Sequence, residues 1–331
     1  MESRKIQMTG GSSFIVTLPK DWVEGSGLRK NDTVYLETAA DRSLIIRSNT
    51  ADTQEPRCVK TIEIDAGTQP AMIFRLLLGA YIAGHTEIRT VCPKPMTQAI
   101  HDVIKGFCQT AVGMEILEES ESSVTVKNLM DPHEVRPSTA VDRMKVLAKN
   151  LLSDTVASMV AGSPLDSPEV RDRDIDRVDW LMSRQASMMM RRPALYGELG
   201  ITPADMMEHL EVSRIIECLG DNAVAINDCM AYMKDPIAIQ SIGAAIEDLH
   251  LPELFSDCMD TFVSKDVQKA NGCIMSCGDR IKRILEVLEL STIMDSGMAT
   301  ATAMVSGNMK RIITNCKDIA ELTIDSAMRT V

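Results

Sequence analysis

The chain has 331 residues, enough for two or three domains, and 45% of them are hydrophobic, which excludes wholesale disorder. Aromatic residues make up only 3%, whereas 23 residues are methionine, a composition that suits helix–helix packing because unbranched Met fills irregular gaps. The formal net charge of −12 excludes wholesale coating of nucleic acid or of an anionic membrane, but it permits a small basic module.

Two features predict a cytoplasmic protein without membrane insertion. No charged-then-apolar leader opens the sequence, and the longest apolar stretch, "AMIFRLLLGAYIAG", is interrupted by Arg75 and is too short to span a bilayer. The nine cysteines form no CxxC pair, which predicts reduced thiols. Cys273 and Cys277 are one helical turn apart and are predicted to be packing residues.

The first fifty residues predict a compact β module. "SSFIVTLP" alternates like a strand, and "KDWVEGSG" predicts a short helical turn that Gly25 and Gly27 end. "DTVYLETAADRSLIIR" predicts a hairpin with strands near 33–38 and 43–48 around "AADR". Because so few residues build a poor core, we expect a partner chain or a neighbouring domain to complete it.

Residues 51–57 are polar and read as a linker, after which strand and helix patterns alternate up to residue 130. Strands are predicted in "VKTIEID", "TEIRTVC", "MEILEE" and "SSVTVKNL", and helices in "PAMIFRLLLGAYIAG" and "PMTQAIHDVIKGF". Such alternation favours a small α/β domain. The segment has no GxGxxG or GxxxxGK[ST] loop, so no nucleotide cradle is predicted.

From about residue 137 the strand patterns stop and long helical patterns take over. Pro252 lies inside the fourth and is expected to kink or split it. Aligning residue 221 with residue 314 pairs Leu219 with Ile312, a weak sign of duplicated three-helix units. The six patterns run near 138–161, 166–192, 204–234, 236–263, 266–290 and 296–330.

Two helical patterns each carry a stripe of carboxylates, and a helical wheel places both stripes opposite the apolar residues. A solvated outer face is one interpretation. Like charges four residues apart repel, however, and neighbouring antiparallel helices would bring the stripes together, so a divalent ion or iron is the other interpretation. The stripes consist of Glu217, Asp221 and Asp228 in "IIECLGDNAVAIND" and of Asp172, Asp176 and Asp179 in "DRDIDRVDWL".

Catalytic motifs are scarce, so we expect no enzyme. The chain has one Glu-x-x-His pair, Glu247 with His250, and it adjoins the disruptive Pro252, which disfavours a di-iron oxidase. GxSxG and HExxH are missing, and no Cys–His pair stands out by its spacing. A metal-dependent enzyme on the acidic stripes stays open as an alternative.

The first 48 residues resemble an AbrB/SpoVT-type swapped-hairpin domain. The resemblance rests on the basic start, on "SSFIVTLPKDW", on "GLRKNDTV" and on the closing "DRSLII". It implies an intertwined β dimer that binds DNA through basic residues, although a head that only dimerises is the alternative. Asp21, Glu24 and Asp32 interrupt the basic patch. The DNA-binding residues that the resemblance implies are Arg4, Lys5, Lys20, Arg29 and Lys30.

The helical part resembles PhoU, through "RDRDIDRVDWLMSRQ" and through the E-x-x-x-D of "SRIIECLGDNAVAIND". The whole chain is similar to the archaeal PhoU-type phosphate uptake regulators with an N-terminal AbrB/SpoVT-like domain. This implies a multidomain α+β fold with a small α/β middle segment and a C-terminal all-α region. The implied domains are an AbrB-like head at 1–50, an α/β domain at 57–130, and PhoU-like three-helix bundles at 137–235 and 236–331.

The resemblance implies a negative regulator of phosphate uptake and phosphate homeostasis, acting as a cytoplasmic homodimer. Its implied partners are DNA and a phosphate ABC transporter or a signalling protein; the alternative is a transporter partner that does not bind DNA. It also implies a site for iron, zinc or manganese in the first repeat. In the second repeat the ligand positions hold Lys310 and Thr314, near Asp279 alone, so that site is expected to be lost. The first-repeat ligands would be Asp172, Asp176, Glu217 and Asp221.

Overall fold

A computed structural model describes residues 3–11, 13–38, 43–48, 58–233, 235–290 and 296–329. The chain divides into two compact units, residues 1–57 and 58–331, and each is treated separately below. The predicted linker at 51–57 and the predicted turn "AADR" lie outside the described residues.

The described residues of the first unit form two antiparallel hairpins and one short helix. Strand β1 (Gln7–Thr9) pairs with β2 (Ser13–Ile15), and β3 (Tyr35–Thr38) pairs with β4 (Leu44–Arg47), which confirms the predicted second hairpin. Helix α1 (Lys20–Gly25) confirms the predicted helical turn, and Gly27 follows it at a φ of 67°. Strand β1 is an addition to the prediction.

This first unit buries almost nothing within one chain. Every residue of 3–48 whose exposure is described is either exposed or half-buried. The most exposed apolar side chains include Phe14 at 72%, Ile6 at 71% and Leu36 at 63%. Apolar side chains of this kind normally face a core. Their exposure agrees with the expectation that a partner chain or a neighbouring domain completes the core, and that expectation stays a prediction.

The second unit begins with a four-stranded sheet and two helices, as predicted. The sheet order is β5-β6-β8-β7; β5 and β6 are parallel, and the other neighbours are antiparallel. Helix side chains close the core, where the rings of Tyr81 and Phe107 meet edge to face at 6.3 Å. The elements are β5 (Val59–Glu63), α2 (Pro70–Ile82), β6 (Glu87–Val91), α3 (Gln98–Thr110), β7 (Met114–Glu119) and β8 (Ser123–Asn128).

All six predicted helical patterns are helices, and Pro252 divides the fourth into two. It stands in the first turn of the second piece, where a missing N–H costs nothing. The prediction missed α6, because "ALYGEL" falls in a short break between longer patterns. The helices are α4 (Pro137–Ala161), α5 (Pro168–Arg191), α6 (Ala194–Leu199), α7 (Pro203–Met230), α8 (Pro236–Glu247), α9 (Leu251–Ser264), α10 (Val267–Leu290) and α11 (Ser296–Arg329).

One hydrophobic core runs through the helical region from Ala140 to Leu322, across the predicted boundary between two bundles. Helix α7 packs against α4 and α5 and also against α11. The division into two three-helix bundles therefore stays a prediction. None of the helices in the described part of the chain is both long enough and apolar enough to cross a membrane.

A buried arginine joins the α/β layer to α5. Arg184 is 3% exposed, and its Nη1 donates to the backbone oxygens of Tyr81 at 2.7 Å and His85 at 2.9 Å. Its guanidinium lies 4.9 Å from the centre of the Tyr81 ring. Two carbonyls and an aromatic face thus compensate for its burial.

Candidate functional site

The two acidic stripes meet because α5 and α7 are antiparallel neighbours. Asp172 lies opposite Gly220, and Asp179 lies opposite Ser213, so the chain direction reverses between the helices. Proline in the first turn starts each helix, and α7 also has a capping box between Thr202 and Asp205. This confirms the expected approach of the stripes.

The prediction that both stripes point away from the core is wrong for two residues. Asp172 is only 9% exposed and Asp179 only 1%, because α7 covers that face of α5. Asp176 and Glu217 are half-buried, whereas Asp221 and Asp228 are exposed. A helical wheel gives the angle of each side chain but not the position of the neighbouring helix, which explains the error.

The acidic cluster consists of Asp172, Asp176, Asp179, Glu217 and Asp221. Asp172 is the most buried of the four predicted ligands in it. Its Oδ1 is buried and has no hydrogen-bond partner among the residues that the structure describes. Oδ1 lies against Gly220, where any Cβ would overlap it. An orphaned carboxylate oxygen of this kind is costly in the absence of a cation or a proton.

The carboxylates raise one another's pKa values. Burial, followed by the charges of Asp176, Asp221 and Glu217, raises the pKa of Asp172 from 3.8 to about 7. Burial and the charges of Glu217 and Asp221 raise the pKa of Asp176 to about 6. Burial also raises the pKa of Glu217, with partial opposition from Arg214. The negative charge of the four carboxylates is therefore only partly neutralised at neutral pH.

Arg214 places a positive charge beside Asp179 and Glu217, at one end of the acidic cluster. Nη1 of Arg214 lies 3.2 Å from Oδ2 of Asp179 and 3.5 Å from Oε1 of Glu217. Ser213 Oγ donates to Oδ1 of Asp179 at 2.8 Å. Asp179 is thereby satisfied, and its charge contributes to the raised pKa values of Asp176 and Glu217. The sequence reasoning missed Arg214 and Gly220, although a glycine inside a helix is itself a signal of close packing.

The four predicted ligands fit a cation by their chemistry but are not arranged as a finished coordination shell. All are oxygen donors of the kind that hard divalent ions and iron accept, and Asp172 brings an unpartnered oxygen. Across the described ranges, no three His, Cys, Asp or Glu side chains are positioned to hold a metal ion. Metal binding would therefore require side-chain rearrangement around the orphaned oxygen.

The predicted loss of a second site concerns α10 and α11. Lys310 is exposed, and Thr314 Oγ1 donates to the backbone oxygen of Lys310 at 2.9 Å. Asp279 pairs with Lys282 at 3.1 Å, and both side chains are exposed. Asp279 differs from Asp172, because Asp279 is exposed to solvent and already pairs with a lysine. The loss of the site stays a prediction.

The predicted DNA-binding residues are all exposed in the first unit. Arg4 and Lys5 precede β1, Lys20 opens α1, and Arg29 and Lys30 lie between α1 and β3. The Lys20 ammonium is 3.5 Å from Glu24, so a neighbouring acid offsets part of its charge.

Comparison with known proteins identifies the first unit alone. No curated protein matches the chain, and no solved structure matches it. Residues 7–53 match the family model described as antidote-toxin recognition MazE, bacterial antitoxin. The match covers both hairpins and α1, the elements on which the sequence resemblance rested. The chain therefore begins with a MazE/AbrB-like domain.

Proposed function

We propose that the protein is a non-enzymatic regulator that binds DNA through its N-terminal domain and regulates phosphate uptake and intracellular phosphate homeostasis. The observation that carries the DNA-binding part is the match of residues 7–53 to the MazE family. Five exposed basic residues on the same small unit support it. The phosphate part rests on the resemblance of α5 and α7 to the acidic helices of PhoU.

The DNA-binding form is a homodimer. A single copy of the first unit leaves Phe14, Ile6 and Leu36 more than 60% exposed, and a second copy would cover such strands. Two copies also double the number of basic residues that face one duplex, which compensates for the modest positive charge of one unit.

The helical region relays phosphate status. In this proposal, a cation held by Asp172, Asp176, Glu217 and Asp221 fixes α5 against α7 and sets the surface that a phosphate transporter or a signalling protein contacts. Iron, zinc or manganese would supply the positive charge that the raised pKa values of Asp172 and Asp176 indicate is lacking. No step of catalysis is assigned to this site.

Recognition of a protein by the first unit is the second candidate function. The description of the matched family names the recognition of a toxin, so a protein partner is an alternative to DNA. In this version the first unit dimerises the chain and contacts a protein, and the helical region acts directly on the transporter. Charge reversal at Lys20 and Arg29 would then leave regulation intact.

A salt-titrated gel shift separates the two functions. The probe is the gene's own upstream region, compared with random DNA of equal length. We expect tighter binding to the upstream region and a linear fall of log K with log salt. Lys20→Glu with Arg29→Glu should weaken binding and reduce the salt slope by about one for each lost phosphate contact.

The control is Lys94→Glu, which reverses an exposed lysine in the second unit and should leave binding unchanged. The transcriptional function would be removed, and a protein partner favoured, by two results together. The wild type would bind both probes with equal affinity, and Lys20→Glu with Arg29→Glu would weaken binding to both probes equally.

A further inference from the structure

Three side chains from distant parts of the sequence converge beside β5. Cys58 immediately precedes that strand, His85 follows α2, and Arg191 ends α5. The Cys58 Sγ lies 3.1 Å from His85 Nδ1, and Arg191 Nη1 donates to Sγ at 3.2 Å. The partners stand 27 and 133 positions from Cys58, which is why spacing gave no sign of a Cys–His pair.

Backbone contacts hold this arrangement in place. The Cys58 N–H donates to Thr86 Oγ1 at 3.0 Å, and the Cys58 oxygen accepts the Thr86 N–H, also at 3.0 Å. Gly84 has a φ of +78°, and a Cβ at this position would overlap the Arg191 guanidinium. A glycine is therefore needed both for the backbone conformation and for the approach of Arg191 to the sulfur.

The surroundings of Cys58 are electropositive and open to solvent. Cys58 and His85 are half-buried, and Arg191 is exposed, so the group lies at the surface of the second unit and not in its core. Burial lowers the pKa of His85, as do the charges of Arg191, Lys60 and Arg184, and a hydrogen bond to the Cys58 backbone opposes them. A neutral imidazole can accept a proton, and a facing guanidinium stabilises the thiolate that remains.

We propose that Cys58 is an exchange-reactive thiol that forms mixed disulfides with low-molecular-weight disulfides. His85 Nδ1 takes the thiol proton, and the thiolate, facing Arg191, attacks one sulfur of the disulfide. The Cys58 S–S bond forms as the original S–S bond breaks, and the departing thiolate takes the proton from His85. One protein thiol and one disulfide thus give one mixed disulfide and one small thiol.

The same chain supplies a built-in comparison. Cys218 is more exposed than Cys58, but its Sγ lies 3.5 Å from a carboxylate oxygen of Glu217. A carboxylate at this distance repels the negative charge of a thiolate, whereas the guanidinium beside Cys58 attracts it. Cys258, Cys277 and Cys316 are completely buried. If exposure alone governed reactivity, Cys218 would react first; if the His85 and Arg191 contacts govern it, Cys58 would.

The test treats the folded full-length protein at pH 7 with excess 2-hydroxyethyl disulfide, an uncharged reagent, and follows each cysteine by peptide mass spectrometry. We expect Cys58 to be modified about tenfold faster than Cys218, and dithiothreitol to reverse the modification. Arg191→Gln and His85→Asn should each slow Cys58 several-fold and leave the rate of Cys218 unchanged. Arg173→Gln, at an exposed arginine on the same helix, is the matched control and should change neither rate.

Circular dichroism melting establishes that each variant is folded, and Arg191→Gln provides the test if His85→Asn does not fold. A Cys58 rate equal to or below that of Cys218 would overturn the proposal. So would a folded Arg191→Gln variant with an unchanged rate at Cys58.

Discussion

The buried Oδ1 of Asp172 in α5 lies directly against Gly220 in α7, and no described part of the chain offers it a hydrogen bond. The two residues are 48 positions apart in the sequence, yet each limits the side chains that fit at the other position. Gly220 permits the close approach of α7, and that approach removes Asp172 from water. That burial is the largest cause of the raised pKa of Asp172, and the charges of Asp176, Asp221 and Glu217 add to it.

Gly220→Ala should destabilise the protein although alanine is the better helix former. The new Cβ would overlap Asp172 Oδ1 and would also crowd Ile175, so we expect a loss of about 1–3 kcal/mol in the free energy of unfolding. Gly307→Ala is the control, since this helical glycine has open space around it and the same change should stabilise by up to about 1 kcal/mol. Urea unfolding measures both. Stabilisation by both substitutions would contradict the close contact.

In chelator, stability should fall as the pH rises from about 4 to about 7. Because burial and neighbouring charges raise the pKa of folded Asp172 from 3.8 to about 7, the native state holds a proton that the unfolded chain releases. The contribution is fully present below pH 4 and is lost as the pH passes through the folded pKa. Its size is about 4 kcal/mol, at roughly 1.4 kcal/mol for each of the roughly three pH units between the two values.

Asp172→Asn removes this charge and should flatten the slope, so the difference between variant and wild type grows in favour of the variant towards pH 8. Asp228→Asn, at an exposed acid of the facing stripe, should leave the slope as it is. Parallel wild-type and Asp172→Asn curves from pH 4.5 to 8 would show that Asp172 is not the group responsible.

Mn²⁺ or Zn²⁺ should raise the melting temperature of the wild type, because a ligand that binds only the folded state stabilises it by about 2.7 kcal/mol at 100 times its Kd. Asp176→Asn and Glu217→Gln should each abolish the rise, whereas Asp228→Asn should keep it. Binding at pH 6 should release protons, because the carboxyl of Asp172 has a pKa of about 7 and must ionise to ligate. Calorimetry in buffers of different ionisation enthalpy counts them. An equal rise in all variants would place the metal elsewhere.

Glu208→Gln should loosen the junction between α7, the end of α9 and α11. Glu208 is 4% exposed and accepts hydrogen bonds from Ser326 at 2.6 Å, Lys265 at 2.9 Å and Arg329 at 3.3 Å. Burial alone would raise its pKa, but the bonds from Ser326 and Lys265 outweigh it, and the pKa is lowered. We expect the free energy of unfolding to fall by about 2 kcal/mol at pH 7. The loss stays moderate because Lys265 and Arg329 are partly exposed and can turn towards water when Glu208 is replaced.

That stability is present above the ordinary pKa of the glutamate, 4.5, and is lost as the pH falls through its lowered folded value. The difference between wild type and Glu208→Gln should therefore shrink in acid. Glu211→Gln, at an exposed position one turn further along α7, should cost less than about 0.5 kcal/mol. If Glu208→Gln left the free energy of unfolding unchanged, the shared core would hold the helices together without this ion pair.

Local pattern was sufficient to predict most of the fold. Period-two and period-3.6 hydrophobicity predicted the strands and the long helices, because each pattern reflects which face of one element is buried. Pro252 correctly predicted that the fourth helical pattern is split, because its missing N–H is tolerated only in the first turn of a helix. Helix α6 escaped prediction because its six residues fall in a break between two longer patterns.

Only the tertiary structure decided what those elements do to one another. The sequence placed Asp172 and Asp179 on a polar stripe, but the packing of α7 across that stripe buries both, and a single helix carries no information about its neighbour. The same is true of Cys58, His85 and Arg191, whose contact depends on where three separate elements end. Periodicity records the surroundings of one segment, whereas charge burial, pKa shifts and thiol activation depend on distances between segments, which folding alone sets.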